Sequence, residues 1–173
     1  MSSSQLSPPM RPTLTAARLQ PPSQDNEYTS SGGRAKVVVD PCTWVPDDVV
    51  RQTGFDPSSR RRSNDLVAEY IFLTCAFTSF DDRSLELDSG NVTLEEVGRK
   101  YMGKTRSLIV NGRDALISQK TDEDDCSLDM RTKVGYFGVS VTVHSSAKMK
   151  GLNPCDGIEE IAKTLEPTIG KDN

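Results

Sequence analysis

The length, composition and charge of this chain exclude several classes of protein. Its 173 residues suffice for one domain of ordinary size plus a tail, and only 35% of them are hydrophobic, so part of the chain is expected to stay outside the core. The formal net charge of −4 argues against a basic body that binds nucleic acid over its whole surface.

The spacing of the cysteines and the composition of the N-terminal residues indicate the cellular compartment of the protein. The chain has four cysteines, which are far apart and have no CxxC spacing: Cys42, Cys75, Cys126 and Cys155. The first residues of the sequence lack the apolar stretch of a secretory signal. The sequence therefore predicts a reduced, intracellular protein with free thiols, without a signal peptide or transmembrane helix, and with no bound metal or other cofactor.

Residues 1–35 are rich in Ser, Pro, Gln and Thr, with no apolar periodicity. Such a segment cannot bury enough surface to offset the entropy of ordering it, so we expect a disordered N-terminal arm. Arg11 and Arg18 make its first part mildly cationic, because no acidic residue precedes Asp25. The arm is either a solvated tail or a segment that attaches to a neighbouring copy, a lipid surface or a nucleocapsid.

The first part of residues 36–173 contains short elements and a basic cluster. Residues 36–40, KVVVD, are predicted to form a short strand, and a helix is expected from Pro46 to before Gly54. Arg60, Arg61 and Arg62 follow a turn and form the densest positive spot in the chain. They belong either to a solvated loop or to a contact for phosphate, on RNA or on lipid headgroups.

Residues 66–80, LVAEYIFLTCAFTSF, form the longest apolar run. Its β-branched and aromatic content favours a long central strand over a buried helix. Leu85 and Leu87 follow as a possible brief strand, and Thr93 and Glu96 then have the spacing of a capping box at the start of a helix. That helix is expected to end at Gly103.

The second half of the chain predicts a hairpin, an acidic loop, a strand and a helix. Asn111-Gly112 suits a type I′ turn between strands at 107–110 and 113–117. The acidic residues that follow lack the spacing of a calcium loop and are expected in a solvated loop: Asp122, Glu123, Asp124, Asp125 and Asp129.

Residues 132–144 alternate between apolar and polar side chains, as in a strand with one buried face. His144, the only histidine, is expected to have no catalytic role because no acidic residue adjoins it in sequence. A final helix should be capped by Asp156 and ended by Pro167. The fold class is thus α+β, an antiparallel β-sheet with two main helices packed on it, in a single domain over residues 36–173.

The combination of a Pro-rich arm and this α+β pattern resembles the rhabdovirus matrix proteins, most closely the short ones of plant-infecting cytorhabdoviruses. The residues that carry the resemblance are the aromatic strand, the helix end, the apolar segment and the alternating strand at Tyr70–Thr78, Lys100–Lys104, Ser107–Ser118 and Tyr136–Val143. The resemblance covers roughly residues 36–150. The chain departs from the family in being acidic, and Pro8-Pro9-Met10 lacks the tyrosine of a PPxY budding motif.

The resemblance implies a structural protein of the virion and not an enzyme. Its expected partners are further copies of itself in an open assembly, the viral nucleocapsid or nucleoprotein, an anionic membrane surface, the viral glycoprotein and host factors, with no small-molecule substrate. It would lie beneath the envelope and as a peripheral membrane protein in the host cytoplasm. The arm with Arg11 and Arg18 would serve self-association, and the phosphate, lipid or nucleocapsid contacts would come from Arg60, Arg61, Arg62, Arg99, Lys100 and Lys104.

Two other functions remain open from the sequence. The first is an intracellular, non-enzymatic adaptor or accessory protein that binds one protein partner on its sheet. The second is a sequence-tolerant RNA-binding module, against which the acidic charge and the absence of basic residues around paired strand aromatics both count.

Overall fold

The structure is a computed structural model that describes residues 13–120 and 123–173. Arg11, Asp122 and the Pro8-Pro9 pair lie outside these ranges. Within them the chain forms an eight-stranded antiparallel sheet and six helices. The helices are α1 Glu27–Ser31, α2 Pro41–Trp44, α3 Asp47–Gln52, α4 Leu94–Lys100, α5 Ser145–Met149 and α6 Ile158–Ile169.

The strands are β1 Arg61–Arg62, β2 Leu66–Val67, β3 Ile71–Thr78, β4 Arg83–Gly90, β5 Thr105–Val110, β6 Arg113–Ser118, β7 Asp125–Arg131 and β8 Tyr136–Val143. Their order is β1-β3-β4-β8-β7-β6-β5, and β2 also pairs with β3. The predicted α+β class with an antiparallel sheet is confirmed. Over the described ranges, no helix is long and apolar enough to cross a bilayer.

The main core lies on one face of the sheet. Alternate residues of the central strands point there because side chains of a strand alternate between its two faces, as with Leu85 and Leu87 of β4 and Val139 and Val141 of β8. Helices α2, α3 and α6 cover this face, and α6 contributes its apolar stripe of Ile158, Ile161, Ala162, Leu165 and Ile169. Helix α4 packs on the opposite face through Leu94 and Val97, against Tyr136 of β8.

Three local predictions are confirmed. Thr93 and Glu96 form the capping box of α4, with the Thr93 hydroxyl accepting from the Glu96 backbone N–H at 3.2 Å. Asn111 and Gly112 have φ values of 50° and 84°, as a type I′ turn requires. Strand β8 buries Phe137, Val139, Val141 and Val143 as its alternation predicts. In each case a few neighbouring residues suffice to define the conformation.

The strand prediction at residues 36–40 is wrong. Val37 and Val39 are buried and Val38 is exposed, as in a strand, yet no strand within residues 13–120 and 123–173 pairs with them. The Gln24 side chain takes that place instead: its Nε2 donates to the Val37 carbonyl, and its Oε1 accepts from the Val37 N–H, both at 2.8 Å. A side-chain amide thus satisfies the backbone groups that a strand would use.

The long strand at 66–80 is confirmed as β structure, but it is divided. Residues 68–70 form a tight turn, so that β2 folds back on β3 with Leu66 opposite Phe72. The predicted acidic loop is wrong for its second part, since Asp125–Arg131 is strand β7. Cys126, Leu128 and Met130 alternate toward the core there, and this period of two is the signal of a strand.

The expected ends of the last helix are also wrong. Its N-cap is Gly157, and the Asp156 carboxylate instead accepts from the Asn153 N–H at 3.1 Å. Pro167 does not end α6, which continues to Ile169. Proline cannot donate to the carbonyl four residues earlier, and here Asn111 Nδ2 donates to that Lys163 carbonyl at 3.0 Å. The hairpin turn therefore compensates for the proline.

The predicted free thiols are wrong as well. All four cysteines form disulfides, Cys42–Cys75 and Cys126–Cys155, with Cα–Cα distances of 4.9 Å and 5.1 Å. The first joins α2 to β3, and the second joins β7 to the loop before α6. Sequence separations of 33 and 29 residues give no local spacing from which to read such pairs.

Candidate functional site

The face of the sheet opposite the main core carries a line of polar residues. Antiparallel registers place Asp88 of β4 beside Gly138 of β8, and Gly138 beside Asp129 of β7. Two residues along, Glu86, Ser140 and Ser127 form a parallel row. The central strands send their buried leucine and valine residues to the core, so the same alternation that builds the core collects these polar groups on the other side.

Gly138 lets the two aspartates converge. A Cβ atom at this position would lie 2.3 Å from Asp88 Oδ1 and 2.7 Å from Asp129 Oδ1. The sum of these distances, 5.0 Å, is the upper limit on the separation of the two oxygens. Glycine thus leaves a space between two strands that carboxylates fill from both sides.

Lys120 neutralises the more deeply buried of these carboxylates. Its Nζ lies 2.7 Å from Oδ2 of Asp129, which is 0% exposed. Burial, together with the charge of Asp88, raises the pKa of Asp129 to about 6 in spite of the ammonium. Burial lowers the pKa of Lys120, but attraction to Asp129 and Asp88 outweighs it, so the net pKa of Lys120 is raised. The charged form is thus favoured for Lys120 and disfavoured for Asp129. This difference arises because the lysine faces two carboxylates, whereas Asp129 faces one ammonium and a like charge.

Aromatic rings adjoin the carboxylates. The Tyr136 hydroxyl donates to Asp88 Oδ2 at 2.7 Å. Burial and the neighbouring carboxylate of Asp88 raise the pKa of Tyr136, so it stays a donor. Phe72 and Tyr101 pack beside Tyr136, under helix α4. The Lys120 ammonium lies 5.6 Å from the ring centroid of Tyr101 and 5.4 Å from that of Tyr136.

Two cavities open on this face and meet at Tyr101 and Lys120. One, of about 400 Å³, is largely aromatic, with Tyr70, Phe72 and Tyr136 in its wall. The other, of about 380 Å³, is polar and bordered by Arg61, Glu86, Asp88, Ser127 and Ser140. We call their union the sheet-face groove. Carboxylates outnumber cationic groups around its polar half, so this half carries a net negative charge, which favours cationic groups.

The predicted arginine cluster is divided by the structure. Arg60 is 3% exposed, donates to the Cys42 carbonyl at 3.0 Å and pairs with Asp47 at 2.8 Å. Arg62 pairs with both Asp40 and Asp65. Only Arg61 of the three is exposed, at the edge of the sheet-face groove. A contact that uses all three guanidinium groups is therefore not available on this surface.

The other predicted contact residues are separate from the arginines. Arg99, Lys100 and Lys104 are exposed at the end of α4, where Lys100 lies 5.3 Å from the Tyr101 ring centroid and borders the aromatic cavity. Arg18 is exposed and donates to the Arg60 carbonyl at 2.9 Å, so it faces its own domain.

His144 lies at the exposed end of β8, where its Nε2 is in hydrogen-bonding contact with Ser84 Oγ. In the part of the chain that the structure describes, no acidic side chain forms a hydrogen bond or ion pair with its ring. A serine–histidine contact without an orienting acid lacks the third group of a hydrolytic triad. The pair therefore does not make a second candidate site.

Arg61 and Lys100 border the sheet-face groove and were predicted as contact residues, whereas Asp88, Lys120 and Asp129 were not among the predicted site residues. Asp88, Asp129 and Lys120 come from three segments that are far apart in sequence, and only the pairing of β4, β8 and β7 brings them together. The sequence analysis predicts a solvated loop for Asp129, whereas the structure places it in β7. One signal was present: an aspartate between the alternating Leu128 and Met130 of a strand, with a glycine inside the next strand.

Of three comparisons with known proteins, one gives a match, and it covers almost the whole chain. Searches of curated proteins and of solved structures give no match. A family model matches residues 5–168, which include every residue of the sheet-face groove. The chain belongs to the family described as "Protein of unknown function (DUF3558)".

Proposed function

We propose that this chain is a non-enzymatic binding protein that holds one partner in the sheet-face groove. The observation that carries the proposal is that Asp88, Lys120 and Tyr136 line the sheet-face groove, and that Lys120 pairs there with the wholly buried Asp129. Burying charged groups costs several kcal/mol per ion unless they are well paired. Such a group beside a cavity is more useful for recognition than for stability.

The arrangement suits binding better than proton transfer. Asp129 is paired with the Lys120 ammonium, and Asp88 accepts from Tyr136, so neither carboxylate is a free general base. The aromatic cavity supplies apolar contact area, and the polar cavity supplies a few fixed hydrogen-bonding groups. That division is typical of ligand sites.

The two disulfides support an oxidising compartment as the place where this binding occurs. Disulfides persist in such compartments and are rare where thioredoxin and glutathione keep thiols reduced. A location in the virion or the host cytoplasm depends on the matrix resemblance alone, and the disulfides count against a reduced cytoplasm.

Ligand-panel NMR with ¹⁵N-labelled protein tests the proposed function. The panel contains alkylamines, sugars, carboxylates and short peptides. We expect at least one ligand to shift amide resonances of β4, β7 and β8 in a saturable way. Ser140→Tyr, which fills the polar cavity, should abolish the shifts, whereas Ser145→Tyr on exposed α5 should preserve them. A panel without saturable shifts in the groove, or shifts that Ser140→Tyr leaves intact, contradicts the proposal.

A second candidate function is self-association, as the matrix resemblance implies. The observation in its favour is strand β5, which pairs only with β6 among the described strands and exposes 61% of Ile109. An open sheet edge with an exposed apolar residue can pair with another copy. Contacts with nucleocapsid, anionic membrane, glycoprotein and host factors remain predictions of the resemblance.

Sedimentation velocity over a hundredfold range of concentration tests self-association. Assembly through β5 predicts a sedimentation coefficient that grows with concentration and falls back in Ile109→Lys, since an edge lysine blocks strand addition. Met149→Lys, on α5, serves as the control. A coefficient that is the same at every concentration contradicts this candidate. Flotation with anionic vesicles tests the membrane contact separately.

A further inference from the structure

An ammonium group already occupies the centre of the sheet-face groove. Lys120 Nζ lies 2.7 Å from Asp129 Oδ2 and within 5.6 Å of the centroids of two tyrosine rings, Tyr101 and Tyr136. Asp88 adds a second carboxylate beside them. A cation next to carboxylates and over aromatic faces is the arrangement by which proteins recognise alkylammonium groups.

The Lys120 ammonium does not satisfy this site fully. Asp129 is wholly buried, and its Oδ1 points over Gly138. This oxygen accepts no hydrogen bond from any group in the described ranges. A buried acceptor without a donor costs about 1–3 kcal/mol. Asp129 lines neither cavity, so the N–H donor of a ligand reaches this oxygen only in the space that the Lys120 side chain vacates.

The groove has room for the rest of such a ligand. The aromatic and polar cavities, of about 400 Å³ and 380 Å³, meet at Lys120 and Tyr101. An alkyl chain can lie against Phe72 and Tyr70 while its ammonium reaches Asp88, and it reaches Asp129 where it displaces Lys120. Lys120 follows the last residue of β6 by two positions, so it belongs to the β6–β7 connection and not to the hydrogen-bonded ladder.

We propose that the pocket formed by Asp88, Asp129, Tyr101 and Tyr136 binds the primary ammonium group of a ligand, and that Lys120 is its internal occupant. The inference rests on the proposed function, because it names the ligand chemistry of the same groove. The ligand is an alkyl primary amine, either free or as the lysine side chain of a partner. It competes with Lys120 for the two carboxylates.

Lys120→Ala is the test, because it removes the internal ammonium and keeps both carboxylates. We expect Lys120→Ala to have a lower thermal midpoint than the wild type at pH 7. n-Butylamine hydrochloride should raise that midpoint in a saturable way, since a ligand that binds only the folded state stabilises it. The apparent Kd should be at least tenfold lower in Lys120→Ala than in the wild type, where Lys120 competes at high effective concentration. If Lys120→Ala is largely unfolded, the same titration should restore its far-UV circular dichroism.

The controls separate ammonium recognition from solvent effects. n-Butanol and equimolar sodium chloride should not reproduce the stabilisation, and it should disappear in Lys120→Ala/Asp129→Asn. An acetylated Ala-Lys-Ala amide distinguishes a lysine side chain from a free amine: stabilisation by both probes assigns the site to either source, and stabilisation by n-butylamine alone assigns it to free amines. Stabilisation no greater than that by n-butanol, or equal stabilisation of the double variant, overturns the inference.

Failure of this inference is distinguishable from failure of the proposed function. If n-butylamine has no specific effect while another panel ligand shifts the groove resonances, the ammonium site is overturned and the binding function stands. If no panel ligand shifts those resonances, the proposed function fails as well.

Discussion

Gly138 of β8 lies between Asp88 of β4 and Asp129 of β7. Replacing it by alanine would place a methyl group 2.3 Å from Asp88 Oδ1 and 2.7 Å from Asp129 Oδ1, inside contact distance. The side chains must then move apart in a buried region. We expect Gly138→Ala to lower the free energy of unfolding by about 1–3 kcal/mol, measured by guanidinium denaturation.

Gly98→Ala is the matched control for this experiment. Gly98 lies inside helix α4, and an added Cβ would lie 3.7 Å from Leu116 Cδ1, an ordinary contact. Alanine is favoured over glycine in a helix interior by about 0.5–1 kcal/mol. Gly98→Ala should therefore hold or raise stability. Equal effects of the two substitutions would show that the space over Gly138 is not filled by the aspartates.

Asp129 makes stability depend on pH in an unusual direction. Its folded-state pKa, about 6, lies above the value of about 3.9 for an unfolded chain. Between these values the folded state binds more protons than the unfolded state, so the contribution of Asp129 becomes less favourable as pH rises. Relative to Asp129→Asn, the wild type should gain stability as pH falls from 6.5 to about 4.

Urea unfolding of both proteins at several pH values measures this difference. The difference between their unfolding free energies removes the titration of all other groups, and its slope is the quantity of interest. The absolute offset also contains the loss of the ion-pair partner of Lys120, so it does not enter the test. A slope of zero or of the opposite sign would mean that Asp129 is ionised without penalty in the folded state.

At the scale of elements, the disulfides differ in what their loss removes. Both close loops of similar length, 33 and 29 residues, so the loss of chain constraint should be similar. Cys42 and Cys75 are both wholly buried in the main core, whereas Cys155 is only partly buried against it. Replacing Cys42 and Cys75 by alanine also leaves a gap there. We expect the Cys42→Ala/Cys75→Ala variant to lose about 2–5 kcal/mol of unfolding free energy. The Cys126→Ala/Cys155→Ala variant should lose less.

Chemical denaturation of the two double variants tests the order, and thiol titration of the unreduced, denatured wild type should find no free thiol. A free thiol in the purified protein, or a greater loss in the Cys126/Cys155 variant, would contradict the role assigned to the buried disulfide.

The elements that were predicted correctly are those defined by nearby residues. The capping box at Thr93, the Asn111-Gly112 turn and the alternation of β8 each need only a few adjacent positions. The failures depend on distant partners: Gln24 replaces a strand at Val37, and Asn111 allows α6 to pass Pro167. The site belongs to the second kind, since Asp88, Lys120 and Asp129 meet only through strand pairing. No pattern within one segment specifies such a register.

At the scale of the whole molecule, residues 13–35 are part of the folded body. The arm predicted over residues 1–35 contains Leu19, which is 3% exposed in the main core. The Leu14 N–H donates to the Thr43 carbonyl at 2.9 Å, and Arg62 donates to the Leu19 carbonyl at 2.8 Å. Arg34 pairs with Glu96 at 2.8 Å, and this bond lowers the pKa of Glu96 to about 2. The two ends of the segment are thus fixed to α2 and α4.

Leu19→Ala tests whether this segment stabilises the domain. A leucine that leaves a cavity in a packed core costs about 2–5 kcal/mol when truncated, so guanidinium unfolding should show a loss in that range. Leu66→Ala is the matched control, because Leu66 is 47% exposed on the short strand β2 and has less surface to lose. Because the arm prediction places Leu19 outside the core, it expects no effect at this position. A loss for Leu19→Ala no larger than that for Leu66→Ala would therefore favour the arm over the packed segment.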